Sequence, residues 1–496
     1  MTDKKNAPIK KAGTISPAAA AEQMPEAGAK VTPHLTVQER VELGKEARAH
    51  CPRSSHVAWD PPSDRPDPID LLEAQAATRI PELVPIRYGR MLASPFAFYR
   101  GAAAIMACDL AATPTSGLHV QVCGDAHLSN FGGFASPERE MVFDISDFDE
   151  SLPGPWEWDV KRLAASVEIV GRERGFNAKQ RRSTVLAAVG EYRRAMREFA
   201  AMHNLDVWYT LLDDARIRAR WGMTAKPKEV KKIEADFAQA QLRDNVRVLE
   251  KLIHRVEGQL RIVSHPPLIV PFEELYPELA DRAQAEDFVR DYVQAYRKTL
   301  SDDRRHLVEH FRYMHMARKV VGVGSVGTRA WIVLLLGCDD EDPLFLQFKE
   351  AQASVLEPYA GKSKFADHGK RVVEGQRLMQ AASDIFLGWE NVPRGLDGKS
   401  RDYYARQLWD WKLSADVEKM PPNELVIYGE MCGWTLARAH ARSGDRIAIG
   451  AYLGKNESFD QAIAEFAVAY ADQNQRDYEA LVDAVKAKRV KAQTGV

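Results

Sequence analysis

Two neighbouring stretches, "QVCGDAHLSNFGG" (residues 121–133) and "MVFDISDFDES" (residues 141–151), decide how this sequence is interpreted. Each contains an apolar, strand-like run followed by acidic or amide side chains. Carboxylates beside buried strands are costly unless they are paired or bind a cation. The grouping of Asp125, Asn130 and Asp147 therefore predicts a cation site.

The spacing within the first stretch is that of a phosphotransferase. In the kinase pattern H-R-D-x-x-x-x-N, the Asp orients the acceptor hydroxyl and can accept its proton, and the Asn binds Mg²⁺. Asp125 and Asn130 have this spacing. A second metal-binding Asp is expected at the end of the next short strand, where Asp144, Asp147 and Asp149 all qualify. Since Mg²⁺ prefers hard oxygen ligands around bridging phosphates, ATP and Mg²⁺ are the predicted cofactors.

A longer motif discriminates among the three aspartates. The chain resembles aminoglycoside and choline kinases, which carry H-G-D-x-H-x-x-N, an I-D-[FW] strand end, and a D-x-x-Y-D-L-A helix whose last Asp lies about twelve residues beyond the metal-binding Asp. Asp159 follows Asp147 by twelve residues, so the resemblance favours Asp147 as the ligand, Asp149 second and Asp144 third. It also implies that Asp159 braces the loop from the following helix. Cys123 stands where those kinases have His, so one structural hydrogen bond is missing.

The glycine run "GVGSVG" (residues 322–327) fits the pattern G-x-G-x-x-G. Glycines such as Gly322, Gly324 and Gly327 let backbone N–H groups approach a phosphate. A dinucleotide-binding loop needs a helix directly after the third glycine, whereas "TRAWIVLLLG" is strand-like. A kinase-type glycine hairpin that includes Ser325 therefore fits better and predicts a nucleotide-binding site.

Lys349 ends the apolar strand "LFLQFKEA". After a glycine hairpin, this is where kinases place the lysine that pairs with the α- and β-phosphates. The next helix is expected to supply a glutamate that holds Lys349. Glu374 in "RVVEGQRLMQ" is the candidate and Glu350 the fallback, while Arg329 is expected to be solvated.

The order of these motifs is the reverse of the usual one, because the Asp125 stretch precedes the glycine run. A circular permutation explains this order, and permutation is tolerated where chain ends lie close together. In support, "GWTLARAHARSGD" (residues 433–445) resembles the L-A-x-L-H helix that precedes the catalytic loop in aminoglycoside-type kinases. The segment "FAFYRGAAAIMACDLAA" competes for that position, and the choice between them stays open.

Longer motifs resemble a bacterial family known as domain of unknown function 2252. This resemblance covers roughly residues 37–485 and leaves the substrate open. The motifs that carry it are "CGDAHLSNFG", "DISDFDES", "GPWEWDVKRLAAS", "GVGSVGTR", "EGQRLMQAASD", "LARAHARSGD" and "AYADQNQRDY".

Length and composition set the frame for this interpretation. A chain of 496 residues is too long for a single core. The net charge of −2 gives no global signal for nucleic acid, and no apolar run approaches the roughly 20 residues of a membrane span. The five scattered cysteines lack any C-x-x-C pair, which argues against disulfides or a zinc site. We therefore expect a cytoplasmic protein with no nucleic-acid or membrane partner.

The predicted fold is a circularly permuted, two-lobed α+β fold of the protein-kinase type. A disordered tail is expected over residues 1–36, a helical lobe with the catalytic and metal loops over 37–310, a β-rich nucleotide lobe over 311–422, and helices that return to the helical lobe over 423–496.

The predicted function is ATP- and Mg²⁺-dependent phosphoryl transfer to an unknown hydroxyl acceptor, a small molecule or a protein. Three alternatives stay open at this point. They are a nucleotide-binding pseudokinase or scaffold, AMP transfer on the same fold, and a phosphohydrolase in which "DFDESL" matches the haloacid-dehalogenase motif D-x-D-x-[TS].

Overall fold

The computed structural model of the chain describes residues 34–57, 59–222, 252–277, 292–395, 397–408 and 411–496. These residues form a mixed α+β structure with several antiparallel sheets, as the sequence predicts. Most of the predicted disordered tail, residues 1–33, lies outside the described residues. None of the described helices is both long and apolar enough to cross a membrane.

The helices are numbered here along the chain. They are α1 (Val37–His50), α2 (Pro68–Ala76), α3 (Val84–Met91), α4 (Pro95–Gly101), α5 (Ala103–Ala111), α6 (Trp156–Glu173), α7 (Ala178–Ala201), α8 (Asn204–Tyr209), α9 (Asp214–Trp221), α10 (Phe272–Leu275), α11 (Asp302–Glu309), α12 (Glu357–Ala360), α13 (His368–Met379), α14 (Pro422–Ser443), α15 (Arg446–Leu453) and α16 (Ser458–Lys486). The largest apolar core joins α6, α7, α14 and α16. Helix α14 packs closely against α7 at Gly433, where a Cβ atom would lie 2.1 Å from the Ala188 carbonyl oxygen. Only glycine permits this approach.

The strands form four antiparallel sheets within the described residues. They are β1 (His119–Val122), β2 (Phe131–Ala135), β3 (Met141–Ile145), β4 (Leu152–Pro155), β5 (Ile253–Val256), β6 (Gln259–Ile262), β7 (Ile269–Pro271), β8 (Arg312–Lys319), β9 (Ala330–Leu336), β10 (Pro343–Ala351), β11 (Gly388–Val392), β12 (Arg401–Gln407) and β13 (Leu413–Ser414). The largest sheet has six strands in the order β11-β12-β10-β9-β8-β7. The smaller sheets are β13-β2-β3, β1-β4 and β5-β6.

The apolar runs in β9 and β10 are continuous because both faces of the large sheet are covered. Side chains alternate between the two faces of a strand. In β10, Leu346 and Phe348 pack into one apolar cluster and Phe345 packs into another. Gln347 and Lys349 therefore share the face of Phe345, and both line the cavity described below.

The predicted glycine hairpin is present, because β8 and β9 pair antiparallel on either side of residues 322–327. The helix predicted around Glu374 is present, but the helical pattern of the segment "GKRVVEGQRLMQAASDIFLGW" continues beyond the end of that helix. Helix α13 ends at Met379, and Gly388 already begins β11, which pairs with β12. Tertiary pairing thus overrides the helical pattern in the second half of this segment.

The large sheet and the helical part meet near the stretches of residues 121–133 and 141–151. After β12 the chain adds β13 to the small sheet, with Leu413 opposite Gly133 of β2, and then enters α14. The edge strand β7 of the large sheet lies before residue 311, where the β-rich lobe was predicted to begin. This junction places β2 and the loop before it beside the face of the large sheet that carries Gln347 and Lys349.

Candidate active site

A polar cavity of about 760 Å³ lies at this junction. Its volume is within the range of roughly 300–1,000 Å³ typical of small-molecule sites. Eight of the ten residues predicted to form the site line it; Gly327 and Glu374 do not. The eight are Asp125, Asn130, Asp147, Asp149, Gly322, Gly324, Ser325 and Lys349.

The Asp125 loop, residues 124–130, is braced from α6. Both carboxylate oxygens of Asp159 accept backbone hydrogen bonds, from Cys123 N at 2.8 Å and from Gly124 N at 2.9 Å. Gly124 has φ +79°, and a Cβ atom there would lie 2.7 Å from the Glu150 carbonyl oxygen, so this position requires glycine. The predicted bracing role of Asp159 is confirmed. His440 of α14 is the further contact of this carboxylate, with its Nε2 atom 3.2 Å away.

Replacing Asp159 by alanine is expected to lower the free energy of unfolding by about 3 kcal/mol. Two buried N–H groups would lose their acceptors, and each such loss costs about 1–3 kcal/mol. Asp159→Asn keeps one acceptor oxygen and should lose about half as much. Urea denaturation of both variants measures the difference, and an alanine variant as stable as wild type would contradict the bracing role.

Asp125 faces the cavity and is held by Arg162. The Arg162 Nε atom donates to the Asp125 carboxylate at 2.7 Å, and its Nη2 atom donates to the Tyr99 carbonyl oxygen at 2.9 Å. Burial raises the pKa of the Asp125 carboxyl, although the Arg162 guanidinium opposes this shift. The His127 Nε2 atom lies 3.7 Å from the same carboxylate, which is longer than a hydrogen bond. The Asp125 carboxylate is thus fixed in direction and open to a ligand.

Asn130 and Asp147 stand together at the cavity wall. The Asn130 Nδ2 group donates to the Asp125 carbonyl oxygen at 2.8 Å, which leaves its Oδ1 atom as the remaining acceptor. One Asp147 oxygen accepts a hydrogen bond from Asp149 N at 3.1 Å, and about a third of the side chain is exposed. An amide oxygen and a partly exposed carboxylate are ligands suited to Mg²⁺.

Lys349 reaches across the cavity to the same acidic segment. Its Nζ atom forms an ion pair with Asp149 and lies 3.8 Å from Asp147. Burial disfavours the charged ammonium, but the two carboxylates outweigh it and raise the pKa of Lys349. Asp149 also accepts from the Tyr404 hydroxyl at 2.7 Å and from the Ser325 hydroxyl at 3.3 Å. Asp149 therefore joins the sheet and the glycine loop, whereas Asp147 has fewer partners.

Asp144, the third candidate for the metal ligand, points elsewhere. It is almost fully buried, forms an ion pair with Arg438 of α14, and accepts a hydrogen bond from Ala381 N at 3.1 Å. It does not line the cavity. The structure thus separates Asp144, which the sequence ranks third, from Asp147 and Asp149, which both line the cavity.

The glycine loop, residues 322–327, is anchored by arginines of the helical part. Arg79 donates to the Gly324 carbonyl oxygen at 2.9 Å and to the Val326 carbonyl oxygen at 2.5 Å. Arg90 of α3 donates to the Val321 carbonyl oxygen at 2.6 Å. Gly327 has φ +90° and packs on Arg79 rather than facing the cavity. Gly327 therefore allows the backbone conformation of the turn and does not line the cavity.

Neither of the two glutamates predicted to hold Lys349 pairs with it. Glu374 lies 3.4 Å from Arg377 of the same helix and is outside the cavity lining. Glu350 pairs with Arg329 at 3.1 Å and accepts from the Arg329 backbone N at 3.0 Å. Asp149 takes the place of the predicted glutamate, and Arg329 is paired instead of solvated.

Several residues that line the cavity or hold its lining residues were not anticipated from the sequence. The position of Arg162 could have been inferred from its spacing, because it lies about one helical turn after Asp159 and so faces the same loop. Glu150 follows Asp149 directly, accepts from Val355 N at 2.7 Å, and has a pKa raised by burial to about 7. Arg100 and Arg406 come from α4 and β12, and no local pattern marks them.

Within the described ranges, no group of three or more His, Cys, Asp or Glu side chains is arranged to hold a metal ion. A Mg²⁺ site of the kind predicted here does not need such a group. Magnesium is commonly held by one or two carboxylates together with substrate phosphates and waters. Asn130 and Asp147, with Asp149 beside them, fit that donor set.

The fold and the cavity define a mixed α+β protein whose candidate site lies between a six-stranded antiparallel sheet and a helical part. The chain belongs to the family described as "Uncharacterized protein conserved in bacteria (DUF2252)", whose model matches residues 79–484. No curated protein and no solved structure matches the chain.

Proposed function

We propose that the protein is an ATP- and Mg²⁺-dependent phosphotransferase with a circularly permuted kinase-like fold and a hydroxyl-bearing acceptor. One observation carries the proposal. Lys349, far from Asp147 in the sequence, lies 3.8 Å from it, in the cavity that also contains Asp125 and Asn130. A lysine, two metal-type ligands and a candidate base in one cleft are the parts that phosphoryl transfer requires.

Each residue then has a defined role in the proposed reaction. Asp125 orients the acceptor hydroxyl and accepts its proton. Asn130 and Asp147 hold Mg²⁺, which offsets charge on the transferred phosphoryl group. Lys349 exchanges its contact with Asp149 for the nucleotide phosphates, beneath the glycine loop.

Contacts of the late helix α14 support the proposed permutation. His440 in "LARAHARSGD" contacts Asp159, the residue that braces the Asp125 loop. Ser443 accepts a hydrogen bond from Gln121 N at 3.2 Å, just before that loop. These contacts support the proposal that α14 acts as the helix preceding the catalytic loop, although α14 follows that loop in the chain. The Tyr99 carbonyl oxygen of α4 accepts a hydrogen bond from Arg162, which holds Asp125, so α4 also helps to position the Asp125 loop.

Calorimetry of ATP binding with and without Mg²⁺ tests the proposal. Wild type is expected to bind ATP in a Mg²⁺-dependent manner, and Asp147→Ala is expected to lose that dependence because the ion loses a carboxylate ligand. Asp416→Ala is the matched control. Asp416 also lines the cavity but pairs with Lys419 at the surface, so its removal should leave binding unchanged.

The remaining alternatives give different results in the same series. Failure of wild type to bind any nucleotide would reject the proposal and favour phosphohydrolysis, which a phosphomonoester assay would then detect. Binding without transfer of label to any acceptor would indicate a pseudokinase. Transfer of label from α-labelled but not γ-labelled ATP would indicate AMP transfer.

A further inference from the structure

Arg100 is a cavity residue whose charge has no hydrogen-bonded partner within the described residues. It lies in the last turn of α4 and lines the cavity wall. Its Nε atom is buried and makes no hydrogen bond to any described residue. Its nearest ring contact is Phe96, whose centroid lies 6.0 Å from the guanidinium carbon. Glu418 and Asp125 stabilise this charge from a distance, but no carboxylate of the described residues forms an ion pair with it. A desolvated cation without a hydrogen-bonded partner is costly, so Arg100 is suited to an anionic ligand.

The other arginines near Asp125 are already engaged. Arg162 donates to Asp125 and to the Tyr99 carbonyl oxygen. Arg406 donates to the Ser146 carbonyl oxygen at 3.0 Å. Arg100 differs from both because its guanidinium remains available to whatever occupies the cavity.

The surroundings of Arg100 place it between Asp125 and the glycine loop. The positive charge of Arg100 acts to lower the pKa of the Asp125 carboxyl and of His127, so both groups lie near it. Its carbonyl oxygen lies 3.4 Å from the position of a Cβ atom on Gly324. An anion bound by Arg100 would therefore sit at the Asp125 end of the cavity, where the phosphoryl group and the acceptor meet in the proposed reaction.

We propose that Arg100 binds an anionic phosphate or carboxylate group at the Asp125 end of the cavity and thereby selects the substrate. Its planar guanidinium presents paired N–H donors that match either group. The anion has two possible sources, the terminal phosphate of the nucleotide or an acidic group on the hydroxyl acceptor. That the anion comes from a nucleotide or from a hydroxyl acceptor rests on the proposed function, whereas the anion site itself does not depend on it.

The test compares Arg100→Ala and Arg100→Lys with wild type by calorimetric titration of inorganic phosphate, with thermal melts to confirm folding. Arg100→Ala is expected to weaken phosphate binding about 10- to 100-fold, the effect of losing a charge-assisted hydrogen bond. Arg100→Lys keeps the charge without the paired donors and should fall between. Arg139→Ala is the control, since Arg139 lines the same cavity but lies over the Trp411 ring at 4.3 Å.

Titrations of Mg·ATP and Mg·ADP then identify the source of the anion. If Arg100 contacts the terminal phosphate, Arg100→Ala weakens ATP binding and spares ADP binding. If it serves the acceptor, both nucleotides bind normally, and only phosphate binding to the ADP-loaded protein is lost. Equal phosphate affinity in wild type and Arg100→Ala, or no phosphate binding by wild type, would overturn the inference. A protein that binds phosphate through Arg100 but binds no nucleotide would retain the anion site and reject the phosphotransferase.

Discussion

Lys349→Met is expected to weaken Mg·ATP binding roughly 10- to 100-fold, the effect of losing a hydrogen bond to a charged group. The same change is expected to lower the free energy of unfolding by about 3 kcal/mol. Only 4% of the Lys349 side chain is exposed, and its removal leaves the Asp149 carboxylate without its cation. Removing one partner of a buried ion pair costs about 3–5 kcal/mol. We expect the lower end of this range of free energies because a quarter of the Asp149 side chain is exposed to solvent.

The double variant Lys349→Met/Asp149→Asn separates the two effects. The neutral amide removes the unpaired charge and can still accept from the Tyr404 hydroxyl. Most of the stability should return, while ATP binding should stay weak because the phosphate contact is still missing. Urea denaturation and calorimetry measure the two quantities on the same samples. Wild-type ATP affinity in the single variant would show that Lys349 is only a structural partner of Asp149.

The parts of the site that could be predicted are those encoded in short spacings. The resemblance to aminoglycoside and choline kinases, carried by the interval between Asp147 and Asp159, implied that Asp159 braces the loop, and Asp159 does accept hydrogen bonds from the loop backbone. Lys349 was likewise predicted from its place in the strand after the glycine run, and it lines the cavity. Such positions depend on local order along the chain, so the docking of distant segments does not change them.

Contacts between distant segments could not be predicted in the same way. Nothing near Lys349 in the sequence distinguishes Glu374, which pairs within its own helix, from Asp149, which lies in the connection between β3 and β4. Likewise, Arg79 holds the glycine loop across a long sequence separation. These partners depend on how the helical part docks on the large sheet, and a single sequence carries no signal for that docking.

The ion pair between Arg438 and Asp144 gives the second large effect. Arg438→Met is expected to lower the free energy of unfolding by about 4 kcal/mol. The side chains of Arg438 and Asp144 are 1% and 2% exposed, so the carboxylate would remain charged and buried without its cation. The arginine also donates to the Met379 carbonyl oxygen at 2.5 Å, which would lose that donor. Urea denaturation measures the loss.

A control and a double variant make this result specific to the buried pair. Arg304→Met removes an arginine whose pair with Asp303, at 3.1 Å, is more than a third exposed, and should cost less than about 1 kcal/mol. Arg438→Met/Asp144→Asn should regain part of the stability, since the amide carries no charge and can still accept from Ala381 N. Because Asp144 lies outside the cavity lining, the folded double variant should bind Mg·ATP like wild type. Loss of Mg²⁺-dependent binding in that variant would instead identify Asp144 as the metal ligand, against the separation that the structure shows.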